Sequence, residues 1–354
     1  MHFVSFPKIG QYGPTVQYIA SEERFIGFAE NGDPIYDGEK VLGKVTFTGT
    51  VKLHGTNSAI AMRGEEYWCQ SRENIITPLK DNCGFATHFS GKDKIEAITN
   101  IICDIKKKNG IRDDKIVVLF GEWAGPGVQK GVGISQIPQK SFFLFAIRVI
   151  SPVKIITETN QEGRYESDQW LDIDGIRDHS IRFYNINDYQ KFSVEVDLNS
   201  PGDVVAYLQG LVDAVEKECP VAKALGASGI GEGIVWEATW KGTRRIFKTK
   251  GKEHAVVVHK DGKTVHADTE KVNSIQEFCN YAVTEPRLEQ GLEKVFMKIK
   301  PTMEKTGDFI KWVVKDVVTE EIDAISKNNL STKDVSGEIA KRSKDWLHKK
   351  INEG

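Results

Sequence analysis

Short stretches of alternating or continuous hydrophobicity fill much of residues 45–250 and predict a region rich in β-sheet. Residues 45–51 alternate apolar and polar positions, which is the period of a strand with one buried face. Residues 58–70 have the pattern of a hairpin that turns at residues 63–66. Residues 115–120 and 142–150 are almost continuously apolar, as is typical of strands buried on both faces.

Helical spacing of apolar residues is found over residues 93–109 and 203–217. The texture changes at about residue 254, where a hairpin turning at residues 260–263 is followed by helices. The first of these begins at a capping box from Ser274 to Glu277, and others cover roughly residues 303–318 and 332–350. We interpret residues 1–44 as short strands and loops without chemistry of their own, and residues 155–200 as an excursion from the domain. The pattern predicts two domains, a sheet-rich one over residues 1–270 and a small helical one over residues 271–354.

Composition narrows the class of protein. The 48 basic and 50 acidic residues give a net charge of −2, so any nucleic acid would have to meet a local basic face. The five cysteines are far apart and form no Cys-x-x-Cys pair, which argues against a zinc ribbon or a disulfide framework. The N-terminus lacks a signal-peptide pattern, and no apolar run is long enough to span a bilayer. We therefore expect a soluble cytoplasmic protein without a membrane partner, and we infer no obligate protein partner.

Candidate chemistry begins with a lysine at the end of the alternating run. Lys52 is followed by His54 and by Gly55, a residue type that lets the backbone approach a ligand closely. Arg72, at the far end of the hairpin, has a guanidinium suited to binding phosphate. Taken alone, both cations have a simpler explanation as solvated surface residues.

Carboxylates and further cations follow in the second half of the chain. Glu122 comes where the buried run 115–120 opens into a glycine-rich segment, and burial of an unpartnered ion is costly. Glu232 stands between glycines at a predicted strand start. Lys248 and Lys250 point to one face of a strand, where two cations repel unless an anion lies between them. An edge strand that uses lysines to discourage aggregation is the alternative for this pair.

Covalent nucleotidyl transfer is a reaction that needs all of these groups together. A lysine amine attacks the α-phosphorus of a nucleoside triphosphate and carries the nucleotide as a phosphoramide. A free lysine amine is almost fully protonated at neutral pH, and nearby cations disfavour that protonated form while stabilising charge on the phosphate. Mg²⁺ would orient the triphosphate and offset the charge of the departing pyrophosphate, with Glu232 as its candidate ligand.

These residues give the chain a resemblance to a known family. It resembles the RNA ligase 2 family of ATP-dependent polynucleotide ligases across roughly residues 45–252. The matching segments are Lys52–Asn57, Ser71–Arg72, Phe120–Lys130, Phe143–Ile147, Glu232–Val235 and Lys248–Lys250. The resemblance implies an α+β fold: a nucleotidyltransferase domain, of the ATP-grasp-like ligase type, made of antiparallel sheets with flanking helices, plus an all-helical C-terminal domain that binds RNA.

The same resemblance implies a three-step reaction that uses ATP with Mg²⁺, or Mn²⁺ in its place. AMP passes from ATP to the lysine and then to an RNA 5′-phosphate, and a 3′-hydroxyl finally seals the ends and releases AMP. The implied substrate is RNA with 3′-hydroxyl and 5′-phosphate ends, such as a nicked duplex. The implied nucleophile is Lys52, with Leu53 and His54 beside it. The other implied roles are Arg72 and Asn57 in phosphate contacts or later steps, Glu122 at the ribose, Phe145 stacked on adenine, Glu232 at the metal, and Lys248 and Lys250 at the α-phosphate.

The sequence departs from the family pattern at four positions. Val51 stands in place of glutamate, Ser58 in place of an aromatic residue, Ala146 in place of aspartate and Glu237 in place of lysine. Two alternatives remain open. One is another covalent nucleotidyltransferase, either a DNA ligase or a GTP-using capping enzyme, although both normally append an OB barrel where this chain has helices. The other is a non-sealing RNA-binding protein on a ligase scaffold.

Overall fold

The computed structural model describes residues 1–157, 160–165, 167–251, 275–276, 278–280, 282–296, 301–327 and 330–353. The strands are β1 (Gly10–Gln11), β2 (Phe25–Phe28), β3 (Pro34–Tyr36), β4 (Lys44–Lys52), β5 (Thr56–Arg63), β6 (Glu66–Ser71), β7 (Ile75–Ile76), β8 (Ile116–Ala124), β9 (Ser141–Ile150), β10 (Lys154–Thr157), β11 (Asn160–Tyr165), β12 (Asp168–Leu171), β13 (Phe183–Asn185), β14 (Lys191–Asp197), β15 (Gly233–Trp240) and β16 (Thr243–Lys250). The helices are α1 (Tyr12–Arg24), α2 (Phe85–Phe89), α3 (Lys92–Asn109), α4 (Val205–Lys217), α5 (Pro220–Ala224), α6 (Glu285–Phe296), α7 (Thr306–Lys327) and α8 (Thr332–Glu353).

Contacts divide the chain into two compact units, Met1–Glu253 and His254–Gly354. The predicted boundary at residues 270 and 271 lies outside the described residues. The same holds for the predicted hairpin at residues 260–263 and for both ends of the predicted capping box, Ser274 and Glu277. None of the described helices is long and apolar enough to cross a bilayer.

A five-stranded sheet contains β4, the strand that ends at Lys52. Its order is β1-β16-β15-β4-β14, and its pairs are antiparallel except for the parallel pair of β1 with β16. Val45, Phe47 and Val51 of β4 are buried in the main core. Because side chains alternate along a strand, Lys52 points to the opposite face of this sheet.

A second, seven-stranded sheet has the path β12-β9-β8-β5-β6-β7, with β13 also paired to β9. Part of it shares the main core with α2 and α3 through residues such as Leu119, Phe89 and Ile102. A smaller cluster contains Phe120 and Ala146. All pairs of this second sheet are antiparallel except the parallel pair of β13 with β9. This mainly antiparallel arrangement, with helices against the sheet and at the C-terminal end, confirms the predicted α+β fold class.

Two predictions in the first unit were wrong. Residues 1–44 contain the 13-residue helix α1, whose Val16 and Ile19 are buried in the main core. Gly13 and Pro14 are residues typical of a turn, but Pro14 lies in the first turn of α1, where its missing N–H leaves no hydrogen bond unmade. Residues 155–200 are more than an excursion, because β14 alternates buried and exposed positions and pairs with β4 along its whole length.

In the residues that the structure describes, the second unit is helical, as predicted, and has its own core. The predicted segment 303–318 begins with a 3-10 turn at Met303–Lys305 and continues into α7, which extends to Lys327. Helix α8 covers the predicted segment 332–350 and extends to Glu353. Phe309, Val313 and Ile339 are fully buried in this core.

Candidate active site

Three predicted site residues converge on a fourth, the buried carboxylate of Glu232. Lys52 Nζ lies 2.6 Å from Glu232 Oε2, and His54 Nδ1 lies 3.3 Å from the same oxygen. Lys250 Nζ lies 3.3 Å from Glu232 Oε1. The Glu232 side chain is only 3% exposed, whereas that of Lys52 is 21% exposed. The carboxylate is therefore enclosed, and the Lys52 side chain keeps partial access to solvent.

Strand register explains why these groups meet. Gly233 of β15 lies directly between Lys52 of β4 and Lys250 of β16. Glu232 is the residue immediately before Gly233, and this register places it near both lysines. A Cβ at Gly233 would lie 2.1 Å from the Thr249 carbonyl oxygen, and its φ of +153° also disfavours other residues.

The electrostatics of Glu232 follow from these contacts. Burial alone would raise the pKa of its carboxyl, but the Lys52 and Lys250 ammonium groups, with His54, outweigh burial and hold this pKa well below its usual range. Glu232 is therefore ionised at neutral pH and forms the anion that separates the cations.

Glu122 is a second buried carboxyl group in a different environment. It lies within β8, opposite Asn57 of β5, and not at the mouth of a loop as the sequence suggested, because β8 continues to Ala124. The Gly55 N–H donates a 2.9 Å hydrogen bond to Glu122 Oε1. Burial raises the pKa of Glu122 to about 7, and Lys52 only partly opposes this. This carboxyl group therefore changes charge near neutral pH.

Gly55 is required by the protein itself. A Cβ at this position would lie 2.4 Å from the Trp123 carbonyl oxygen and 2.9 Å from the Ala124 Cβ. The segment that joins β4 to β5 thus runs against the backbone of β8, and this close approach brings Glu122 next to the segment that follows Lys52.

The remaining predicted residues are distributed around this centre. The Leu53 side chain is buried in the main core. Arg72 is exposed beyond β6, yet close enough to lower the pKa of Glu122. Lys248 is half-buried, two residues before Lys250 on the same face of β16.

Phe145 lies at a bulge in β9. Phe120 pairs with Ala146 and Gly121 pairs with Leu144, so Phe145 is the extra residue between them. Its half-buried ring lies 5.0 Å from the ring of Phe6, in an edge-to-face arrangement. Phe145 therefore belongs to the aromatic cluster of the second sheet and not to the group around Glu232.

A sequence model of the RNA ligase family matches residues 45–250. The chain belongs to the RNA ligase family.

Solved structures of RNA ligases resemble the chain at low identity. A Naegleria gruberi RNA ligase variant with ATP and manganese is 14% identical, with a TM-score of 0.39, and the match covers 71% of this chain and 57% of that one. The Naegleria gruberi RNA ligase with pyrophosphate is 13% identical, with the same TM-score and coverage. An archaeal ATP-dependent RNA ligase is 13% identical at a TM-score of 0.36, covering 92% of this chain and 66% of that one. The chain thus spans 57% of the length of the Naegleria structures.

The N-terminal segment contacts two of the predicted site residues. The sequence did not indicate these contacts. Phe6 contacts Phe145, and Gln11 of β1 pairs with Lys248 of β16. The available signal was the short apolar run before Pro7, which was too brief to assign to either sheet from pattern alone.

Glu232 is the predicted ligand of a metal ion in this site. Among the residues that the structure describes, no group of three or more His, Cys, Asp or Glu side chains is arranged to bind a metal. Both Glu232 oxygens already contact cations. The donor set fits an ion carried largely by phosphates and water, which is a common arrangement for Mg²⁺ with nucleotides, with Glu232 as the nearby carboxylate.

Proposed function

We propose that the protein is an ATP-dependent RNA ligase that carries AMP on Lys52 and seals 3′-hydroxyl and 5′-phosphate RNA ends, such as those of a nicked duplex. The observation that carries the proposal is the 2.6 Å contact of Lys52 Nζ with Glu232, on a carboxylate that Lys250 also contacts. Membership of the RNA ligase family supports the same reaction.

Lys52 is the proposed nucleophile. Its nitrogen forms a bond to the α-phosphorus of ATP while the bond from that phosphorus to the pyrophosphate oxygen breaks. The Lys52 ammonium must first leave Glu232 and lose a proton. Lys250 and Lys248 are the proposed partners of the α-phosphate, and they stabilise the charge that builds on its oxygens. A bound Mg²⁺ or Mn²⁺ would neutralise pyrophosphate as it departs.

Glu122 and Phe145 are the proposed contacts of the nucleoside. Glu122 has one oxygen held by the Gly55 N–H, and its carboxyl group can bond a ribose hydroxyl. Phe145 is half-buried and offers an aromatic surface for adenine, a contact worth ~1–3 kcal/mol for a base. His54 is a proposed contact of the nucleotide beside Lys52, and Arg72 and Asn57 are the proposed partners of phosphate or of the later steps.

The later steps use the same AMP group. An oxygen of the RNA 5′-phosphate attacks the lysine-bound phosphorus, which breaks the N–P bond and regenerates Lys52. The 3′-hydroxyl of the second end then attacks the RNA phosphate and expels AMP. The helical unit is the proposed holder of the RNA.

The deciding experiment measures covalent labelling with α-³²P ATP. The unmodified protein should be labelled, and Lys52→Ala should abolish the label. Lys44→Ala is the matched control, because Lys44 lies on the same strand in an exposed ion pair with Glu195 and should leave labelling unchanged. Labelling of Lys52→Ala at the wild-type level would contradict the proposal.

Two further readouts separate the alternatives. Labelling by GTP and not by ATP would favour a capping enzyme. Sealing of a nicked DNA duplex but not of nicked RNA would favour a DNA ligase. Labelling without sealing of any RNA would favour a non-sealing RNA-binding protein, a possibility raised by Ala146, which is buried among apolar residues where a carboxylate was expected.

A further inference from the structure

Arg244 of β16 combines burial, an anchoring ion pair and an unused donor. Its Nε and Nη2 atoms donate to both oxygens of Glu237, at 2.6 and 2.5 Å. Its guanidinium carbon lies 4.5 Å from the centre of the Trp170 ring and 5.7 Å from that of Phe6. The side chain is 12% exposed, and Nη1 is a buried donor without a partner among the described residues. A buried donor without a partner is costly, so it points to a group that binds there.

The position of Arg244 relates it to the candidate nucleotide site. Arg244 shares a face of β16 with Lys248 and Lys250, because side chains alternate along a strand. Four residues separate it from Lys248, a spacing of about 13 Å along an extended strand. That distance is comparable to the length of a nucleoside monophosphate.

The aromatic cluster connects Arg244 to Phe145. Phe6 lies 5.0 Å from Phe145 and 5.8 Å from Trp170, and Trp170 in turn lies beneath the Arg244 guanidinium. A nucleotide with its phosphate near Lys248 and its base on Phe145 would therefore direct the outer edge of the base toward this cluster. Aromatic walls suit a base better than a phosphate, which would have to give up its hydration there.

We propose that Arg244, held in place by Glu237, recognises the base of the nucleotide by donating from Nη1 to a ring nitrogen of adenine. This inference rests on the proposed function, since it assigns a specificity residue to the same site. The N1 and N7 atoms of adenine are acceptors, and an arginine N–H is a donor only. Glu237 is a positioning residue, since it accepts two hydrogen bonds from the Arg244 guanidinium and so fixes its orientation.

The test compares Arg244→Lys with a matched control on the same strand. Lysine keeps the positive charge beside Glu237 but lacks the additional planar donors. Arg245→Lys is the control, because Arg245 also pairs with a carboxylate, Glu22, and lies 4.5 Å over an aromatic ring, Tyr18, but on the opposite face of β16. KM and kcat for self-labelling are measured with ATP, 1-deaza-ATP and 7-deaza-ATP, together with the melting temperature of each variant.

We expect the wild-type KM to rise about 10- to 100-fold for one of the two deaza analogues, as fits the loss of a hydrogen bond to a charged group. In Arg244→Lys the KM for ATP should rise to the value that the wild type has for that analogue. The variant should then have the same KM for ATP and for that analogue, while kcat changes little. Arg245→Lys should keep both the wild-type KM and the penalty. Arg244→Lys variants that melt earlier still give an interpretable result, because the ratio of the KM values is compared within each variant.

Equal use of ATP and both analogues by the labelled wild-type protein would overturn this inference alone. The same holds if Arg244→Lys retains the wild-type discrimination, or if Arg245→Lys loses it equally. A wild-type protein that no nucleotide labels would instead contradict the proposed function, and the inference with it.

Discussion

Two buried glutamates of this site have opposite protonation behaviour because their neighbours differ. Glu232 is surrounded by the Lys52 and Lys250 ammonium groups, which keep its pKa low despite burial. Glu122 accepts a hydrogen bond from the neutral Gly55 N–H, and Lys52 opposes burial only in part, so burial dominates and raises the pKa of Glu122 to about 7. One carboxyl group is thus a fixed charge, and the other gains or loses a proton near neutral pH.

Glu122→Gln should change the pH dependence of stability. The folded pKa of about 7 exceeds the usual value of 4.5, so the stability linked to Glu122 is fully present below pH 4.5 and is lost as pH rises through 7. At about 1.4 kcal/mol for each pKa unit, the loss approaches roughly 3 kcal/mol. Urea unfolding at pH 5 and pH 8 measures how far the free energy of unfolding falls as the pH rises. This fall should be smaller for Glu122→Gln than for the wild type. An identical decline in both proteins would contradict the assignment.

Gly55→Ala tests the close approach between the lysine segment and β8. The new methyl group would meet the Trp123 carbonyl oxygen at 2.4 Å, and overpacking of this kind costs about 1–3 kcal/mol. We expect a lower melting temperature and reduced ATP labelling, since Lys52 lies three residues away. Gly43→Ala is the control, because a Cβ at Gly43 would meet no heavy atom within 4 Å. Equal effects of the two substitutions would argue against a specific clash.

At the scale of elements, periodicity predicted α3 and the hairpin of β5 and β6 closely, because each is a local pattern with its own turn or cap. The candidate site residues were predicted from residue types in their order along the chain. Their geometry was not predictable, since the row of Lys52, Gly233 and Lys250 depends on pairing between strands far apart in sequence. Helix α1 was missed because Pro14 is acceptable in a first turn, and the register that brings Gln11 beside Lys248 has no local signal.

Helix α1 should support the strand that carries the Lys248–Lys250 pair. Ile19 is fully buried in the main core, and deleting a buried aliphatic side chain of this size costs about 2–5 kcal/mol. We expect Ile19→Ala to lower the free energy of unfolding by this amount while leaving ATP labelling measurable at low temperature. Ile26→Ala, at a position that is 63% exposed, should change stability by less than about 0.5 kcal/mol. Similar losses for both variants in denaturant titrations would show that α1 contributes no such support.

At the scale of the whole molecule, the two units have separate cores, and this predicts separable defects. Phe309 is fully buried in the helical unit, while Lys52, Glu122 and Glu232 all belong to the other unit. Phe309→Ala should cost about 3–5 kcal/mol within its own unit. If the helical unit holds RNA, this variant should keep ATP labelling and lose most sealing of a nicked duplex.

Phe47→Ala provides the matched comparison, because Phe47 is equally buried but lies in the main core, on the same strand as Lys52. It should reduce labelling and sealing together, since both depend on the position of Lys52. Calorimetry on the full chain adds an independent readout: separate cores predict that Phe309→Ala moves one part of the unfolding transition and Phe47→Ala another. A single transition that both substitutions shift equally would mean that the units unfold as one. If labelling and sealing also fell in parallel in Phe309→Ala, the assignment of RNA holding to the helical unit would be contradicted.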